Sequence, residues 1–124
     1  MPGQTRTVIS LATRWQSGLH HPVSVYAKQV TQGRLREQCC KYEILACQRH
    51  LDDLKRQDTG DFPYVFDVTR ADRIIRWFGQ CIQIRGVDAG KPITLEPWQV
   101  FDLGCTYGWV HKDTGARRFS KTYN

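Results

Sequence analysis

Between Arg36 and Arg56 the apolar residues Cys40, Ile44, Cys47, Leu51 and Leu54 recur at steps of four, three, four and three. That spacing draws one stripe along a helix, so the segment must lie as an amphipathic helix against a partner. The partner has to come from the same short chain. A chain of 124 residues has room for one domain, which on folding buries roughly two-thirds of the surface its unfolded form exposes. A modest core of helices is therefore the expectation.

Other segments supply the remaining faces. His21-Pro22 marks a boundary, and Val23, Tyr26, Ala27 and Val30 follow at helical spacing until Gly33, predicting a helix over 22–32. The first 21 residues read as an extended arm, and residues 22–124 as a helical region. After Gly60, the stretch 62–67 reads as extended. Thr69 to Asp72 resembles a capping box that opens a third helix, with Ile74, Ile75, Phe78, Cys81 and Ile82 as its apolar face and Arg70, Arg73 and Arg76 facing water. The stripe of the long helix is expected to pack on that face. Residues 86–92 form a loop, and Thr94 or Glu96 caps a fourth helix that carries Pro97 early and is closed by Gly108. Residues 112–115 make a turn, and 117–123 reads as the start of a β-strand. The fold class is mainly α: about four helices followed by a lone terminal strand.

The five cysteines, Cys39, Cys40, Cys47, Cys81 and Cys105, form no C-x-x-C pair and read as reduced thiols. No apolar run approaches the roughly 18 residues of a membrane span. Arg6 and Arg14 have no continuous apolar block between them, unlike a signal peptide. Both features point to a cytoplasmic protein without a membrane partner. The net charge is +6, with nine Lys/Arg against four Asp/Glu in residues 1–56 and nine against eight thereafter. Attraction to a polyanion is therefore expected from the first half.

No catalytic constellation stands out. Residues 86–92 place three residues between Gly86 and Gly90-Lys91 and then a proline, where a phosphate loop needs four residues and a Ser/Thr. Cys40, Cys47 and His50 share a helix face but lack a second segment of zinc ligands. They read as two core thiols beside a partly exposed imidazole. Asp52 and Asp53 point about 100° apart on a helix, so they read as surface charges rather than as a carboxylate pair. Trp77, Trp98 and Trp109 read as packing residues rather than base-stacking ones.

Several stretches in order nevertheless carry a resemblance. Tyr26-Ala27-Lys28-Gln29-Val30 with Gly33 is followed by Ala46-Cys47-Gln48-Arg49-His50-Leu51-Asp52-Asp53-Leu54. Phe62-Pro63-Tyr64, Gly90-Lys91-Pro92, Leu95-Glu96-Pro97-Trp98-Gln99, Gly108-Trp109 and Gly115-Ala116-Arg117-Arg118-Phe119 come next. This series resembles the N-terminal region of the phage terminase large subunit, the ATP-driven motor and endonuclease that packages viral DNA. The resemblance implies the lead-in to a P-loop α/β ATPase domain in a bacterial host cytoplasm. It also implies double-stranded viral DNA, the small terminase subunit and the portal as partners, and ATP with magnesium as cofactors of the complete protein.

In that family the R-R-F segment precedes an R-K-N-G-K-[ST] phosphate loop, which residues 1–124 do not contain. Neither ATP hydrolysis nor DNA cleavage is therefore expected of these residues, and no catalytic or metal-ligating residue is assigned. The resemblance makes Gln99 the candidate adenine contact, since a carboxamide offers both a donor and an acceptor to that base edge. Trp98 is the weaker candidate, as a wall for the base. The alternatives are a free-standing helical DNA-binding protein and an inactive prophage remnant.

Overall fold

The computed structural model describes residues 18–121. Residues 1–17 of the expected 1–21 arm, and residues 122 and 123 of the expected 117–123 strand, lie outside the described residues. Helix α1 is Pro22–Gln32 and α2 is Lys41–Arg56, preceded by a 3-10 turn at Arg36–Gln38. Strand β1 (Tyr64–Phe66), helix α3 (Val68–Gly79), helix α4 (Pro97–Gly108) and strand β2 (Trp109–His111) follow. Helix α1 packs on both α2 and α4, and α3 also packs on α4. The mainly helical reading holds.

Helix α1 begins where His21 and Pro22 place it. The His21 ring accepts the Val23 N–H through Nδ1 at 3.2 Å, and its Nε2 donates to Asp72 of α3 at 2.6 Å. One imidazole thus caps a helix and ties it to a second. Residues 18–20 are already helical, and Gly18 and His21 are buried, so the extended arm does not continue to residue 21. Val23, Tyr26, Ala27 and Val30 all enter the core as their spacing requires. The Tyr26 hydroxyl donates to Glu43 of α2. Burial and that carboxylate together push the hydroxyl's pKa up.

Helix α2 starts five residues later than its periodicity suggests, because the chain turns at Cys39 and enters the helix from an extended Cys40. Cys40 is consequently exposed, and the buried stripe consists of Cys47, Leu51 and Leu54 with Ile44 at its edge. The stripe meets α1 rather than α3. The expected partner face is too weakly buried to serve: Ala71 is the buried residue of α3, Ile74, Ile75 and Phe78 are half-exposed, and Cys81 and Ile82 lie beyond the helix. Asp67, rather than the Thr69–Asp72 box, caps α3 by accepting the Arg70 N–H at 3.2 Å.

The expected lone strand is also corrected. Trp109, Val110 and His111, aromatic and β-branched residues that suit a pleated surface, pair antiparallel with the extended 64–66 segment. Tyr64 lies opposite His111, Val65 opposite Val110 and Phe66 opposite Trp109. Residues 112–115 then turn as read, but Arg117 makes a single bridge to Val110 and no strand follows over 118–121. The strand pair rests on the helices, which supply the support a two-stranded ribbon lacks alone. Gly104 and Gly108, one turn apart on α4, permit this close approach: a Cβ on Gly104 would collide with Val23, and one on Gly108 would sit 2.6 Å from Phe66.

Candidate functional site

The polar interior is organised by His50, which is 2% exposed rather than partly exposed as its helix position suggested. The Trp109 indole N–H donates to its Nδ1 at 3.0 Å. The ring proton therefore sits on Nε2, which donates to Ser24 Oγ at 2.8 Å. The Ser24 hydroxyl in turn donates to the Gly18 carbonyl. The ring nitrogens, the indole N–H and the hydroxyl of this relay are all partnered, which offsets their burial. Burial, with His21 and Arg49 nearby, pushes the His50 pKa down to about 3, so the ring is neutral.

Cys105 lies 3.6 Å from His50 Nδ1, a separation that invites comparison with a thiol nucleophile and its base. The electrostatics oppose that reading. The Nδ1 lone pair already accepts the indole proton, and burial pushes the Cys105 thiol well up. Burial likewise pushes Cys47 up to about 12. These are protonated core thiols, and no group of three metal-capable side chains occurs among the described residues.

Asp53, expected on the surface beside Asp52, is 3% exposed. Arg118 reaches it at 2.7 Å, and the guanidinium lies over the rings of Tyr64, Phe119, Phe62 and Trp109 at 4.5 to 5.7 Å. Asp52 remains exposed and accepts from Gln48 at 3.0 Å. The 16-residue α2 thus sends its two adjacent aspartates to opposite environments.

Gln99 stands in the first turn of α4, where its Oε1 accepts the Glu96 backbone N–H at 2.8 Å and completes a capping box with the Glu96 side chain. Trp98 beside it is 48% exposed rather than packed. The two candidate nucleotide contacts therefore sit together at one helix start, with the carboxamide orientation fixed by the cap. Residues 86–92 form a loop with Gly86 and Gly90 at φ 83° and 87°. The Ala89, Gly90 and Lys91 N–H groups donate to carbonyls within residues 83–88 and offer no cradle for phosphate.

A different surface gathers unspent charge. Along α3, Arg70, Arg73, Ile74 and Trp77 share one face by helical spacing. With Tyr107 of α4 and Arg117 they line an open hollow of about 510 Å³. The 112–115 turn delivers Arg117: Gly115 N–H donates to His111 at 2.9 Å, and Arg70 donates to the Gly115 carbonyl. Arg117 lies 5.0 Å over the Tyr107 ring. No acidic side chain among the described residues lines the hollow. Among the described residues, Arg73 and Arg76 form no ion pair, and Trp77 is 55% exposed. The first-half charge surplus did not reveal this surface, since it is built wholly from residues after 69. An Arg-x-x-Arg-x-x-Arg-Trp run on one helix was the available signal.

Comparisons with family models, with curated proteins and with solved structures returned no match. No helix among the described residues is long and apolar enough to cross a membrane.

Proposed function

We propose that this chain is the N-terminal portion of a phage terminase large subunit, a helical lead-in to an ATP-driven DNA-packaging motor. The observation that supports the reading is where its resemblance-bearing residues fall. Tyr26, Ala27 and Val30 of the first motif, and Cys47, His50, Leu51, Asp53 and Leu54 of the second, are buried against one another. Trp109 and Arg118 of the last motifs bond to His50 and Asp53 of the second. The first two motifs and parts of the last are thus joined in a single interior, while the 90–92 and 95–99 motifs lie at the surface.

On this reading Gln99 contacts adenine once a phosphate loop completes the site. Its carbonyl oxygen has two lone pairs, so the bond to Glu96 leaves one for the base, and the amide nitrogen remains a donor. ATP and magnesium belong to that complete protein, as do double-stranded viral DNA, the small terminase subunit and the portal. The coding sequence after Asn124 tests the reading first, and it should encode R-K-N-G-K-[ST]. In the extended protein, Gln99→Ala should weaken use of subsaturating ATP by roughly 5- to 150-fold, the loss of about 1–3 kcal/mol of hydrogen bonding. Equal steady-state ATPase activity of the two proteins would return Gln99 to its capping role alone.

A second reading, a free-standing helical module that binds nucleic acid, is favoured by the arginine surface of α3, whose Arg73 and Arg76 are exposed without a carboxylate partner among the described residues. An unrelated sequence after Asn124 would favour it over the first.

A further inference from the structure

We infer that the α3 surface is a binding track for unpaired nucleotides of a single-stranded nucleic acid, with phosphates on Arg73 and Arg117 and a base stacked on Trp77. The inference rests on the second reading above, nucleic-acid binding, and is indifferent to whether an ATPase follows. Three features of the surface carry it.

The first is charge without compensation. Arg70, Arg73 and Arg117 line the hollow and, among the described residues, no carboxylate does. Asp67 engages Arg70 from outside it at 3.7 Å. Guanidinium groups crowded in this way repel one another until an anion joins them, and the fork geometry of arginine suits phosphate oxygens.

The second is the indole. Trp77 keeps 55% of its surface exposed, with its ring edge-on to Phe78 at 5.0 Å. A flat aromatic face beside phosphate-binding cations accepts a base only if the base has left its own stack, which selects an unpaired strand over a duplex. Tyr107 is already covered by Arg117, so Trp77 is the open platform.

The third is continuity. A second hollow of about 280 Å³, lined by Thr69, Arg73, Arg76, Trp77 and Gln80, adjoins the first and shares Arg73 and Trp77 with it. Two compartments divided by one arginine and one indole suit successive nucleotides of a polymer. A free nucleotide would fill one and leave Arg76 unused.

Fluorescence anisotropy with the full 124-residue chain tests the inference. The probes are a labelled oligothymidylate of about a dozen nucleotides and a labelled hairpin duplex of similar charge, at about 50 mM salt. The single strand should bind at least about 5-fold more tightly than the duplex, and Trp77→Leu should weaken it by roughly 5- to 150-fold. Arg73→Gln should weaken both probes and lower the salt dependence by about one phosphate contact. Both side chains are exposed, so the variants should fold, and a thermal melt of each verifies it. Duplex binding as tight as single-strand binding, or Trp77→Leu without effect, would overturn the unpaired-strand inference and leave the nucleic-acid reading standing. No binding of either probe would overturn both.

Discussion

Arg117 and Arg118 are neighbours in sequence, yet they belong to two regions of opposite character. Successive residues of an extended segment point to opposite sides, so Arg118 turns inward and Arg117 outward. Arg118 is 17% exposed, paired with a buried carboxylate at 2.7 Å and walled by aromatic rings. Arg117 is exposed over Tyr107, beside Arg70 and Arg73, with no carboxylate among the described residues lining the hollow. Both use an aromatic face. The carboxylate makes the difference: Asp53, which Arg56 also approaches at 3.5 Å, pairs Arg118 and helps hold the fold together, whereas the α3 cluster keeps its charge available to a ligand.

The Asp53 cluster should fail by the larger amount. Asp53→Ala leaves Arg118 nearly buried without its counter-ion, an arrangement that costs about 3–5 kcal/mol. Urea melts measure it, and a loss under about 1 kcal/mol would mean that Arg118 simply swings to solvent. Gly104→Ala sharpens the same region from its apolar side. The added methyl meets the fully buried Val23 and should cost about 1–3 kcal/mol by overpacking. A neutral outcome would show that α1 and α4 can separate without penalty.

His50 gives the buried region a pH signature. Its folded pKa of about 3 lies below the ordinary 6.5, so between these values the unfolded chain binds a proton that the native chain does not. Stability should therefore fall as pH drops from about 6.5 toward 3, with a slope approaching about 1.4 kcal/mol per pH unit from this residue. His50→Asn, destabilised at neutral pH, should show a shallower decline between pH 6 and about 4.5, above the carboxylate range. Parallel profiles would mean that the ring is protonated in the native protein.

Local signals were legible in the sequence, and distant pairings were not. Pro22 and Pro97 marked helix starts, Gly108 an end, and the α1 spacing gave its buried face, because each rests on contacts within a turn or two. His50 bonds to Trp109 and Asp53 to Arg118, across 59 and 65 residues respectively. No periodicity carries that information, so both α2 residues were read as surface or rim. The strand pairing was missed for the same reason, since 64–66 was read as extended without a partner, 109–111 was not read as a strand, and 117–123 was read as a lone one. Arg73 and Arg76 do face water as read, whereas Arg70 is half-buried against the Gly115 carbonyl. What the sequence could not show was that Arg117 returns to join them, bringing the turn that Arg70 holds.

The account centres on the claim that Arg73 and Arg76 of α3 are not part of what holds the chain together. The direct measurement is a urea melt of an Arg73→Gln, Arg76→Gln double variant beside wild type, without nucleic acid. Because neither side chain has an ion-pair partner among the described residues, the expected change is within about 0.5 kcal/mol. Removing like charges could move it slightly in the stabilising direction. A destabilisation above about 1.5 kcal/mol, comparable to breaking a buried contact, would contradict the claim and make both arginine clusters structural.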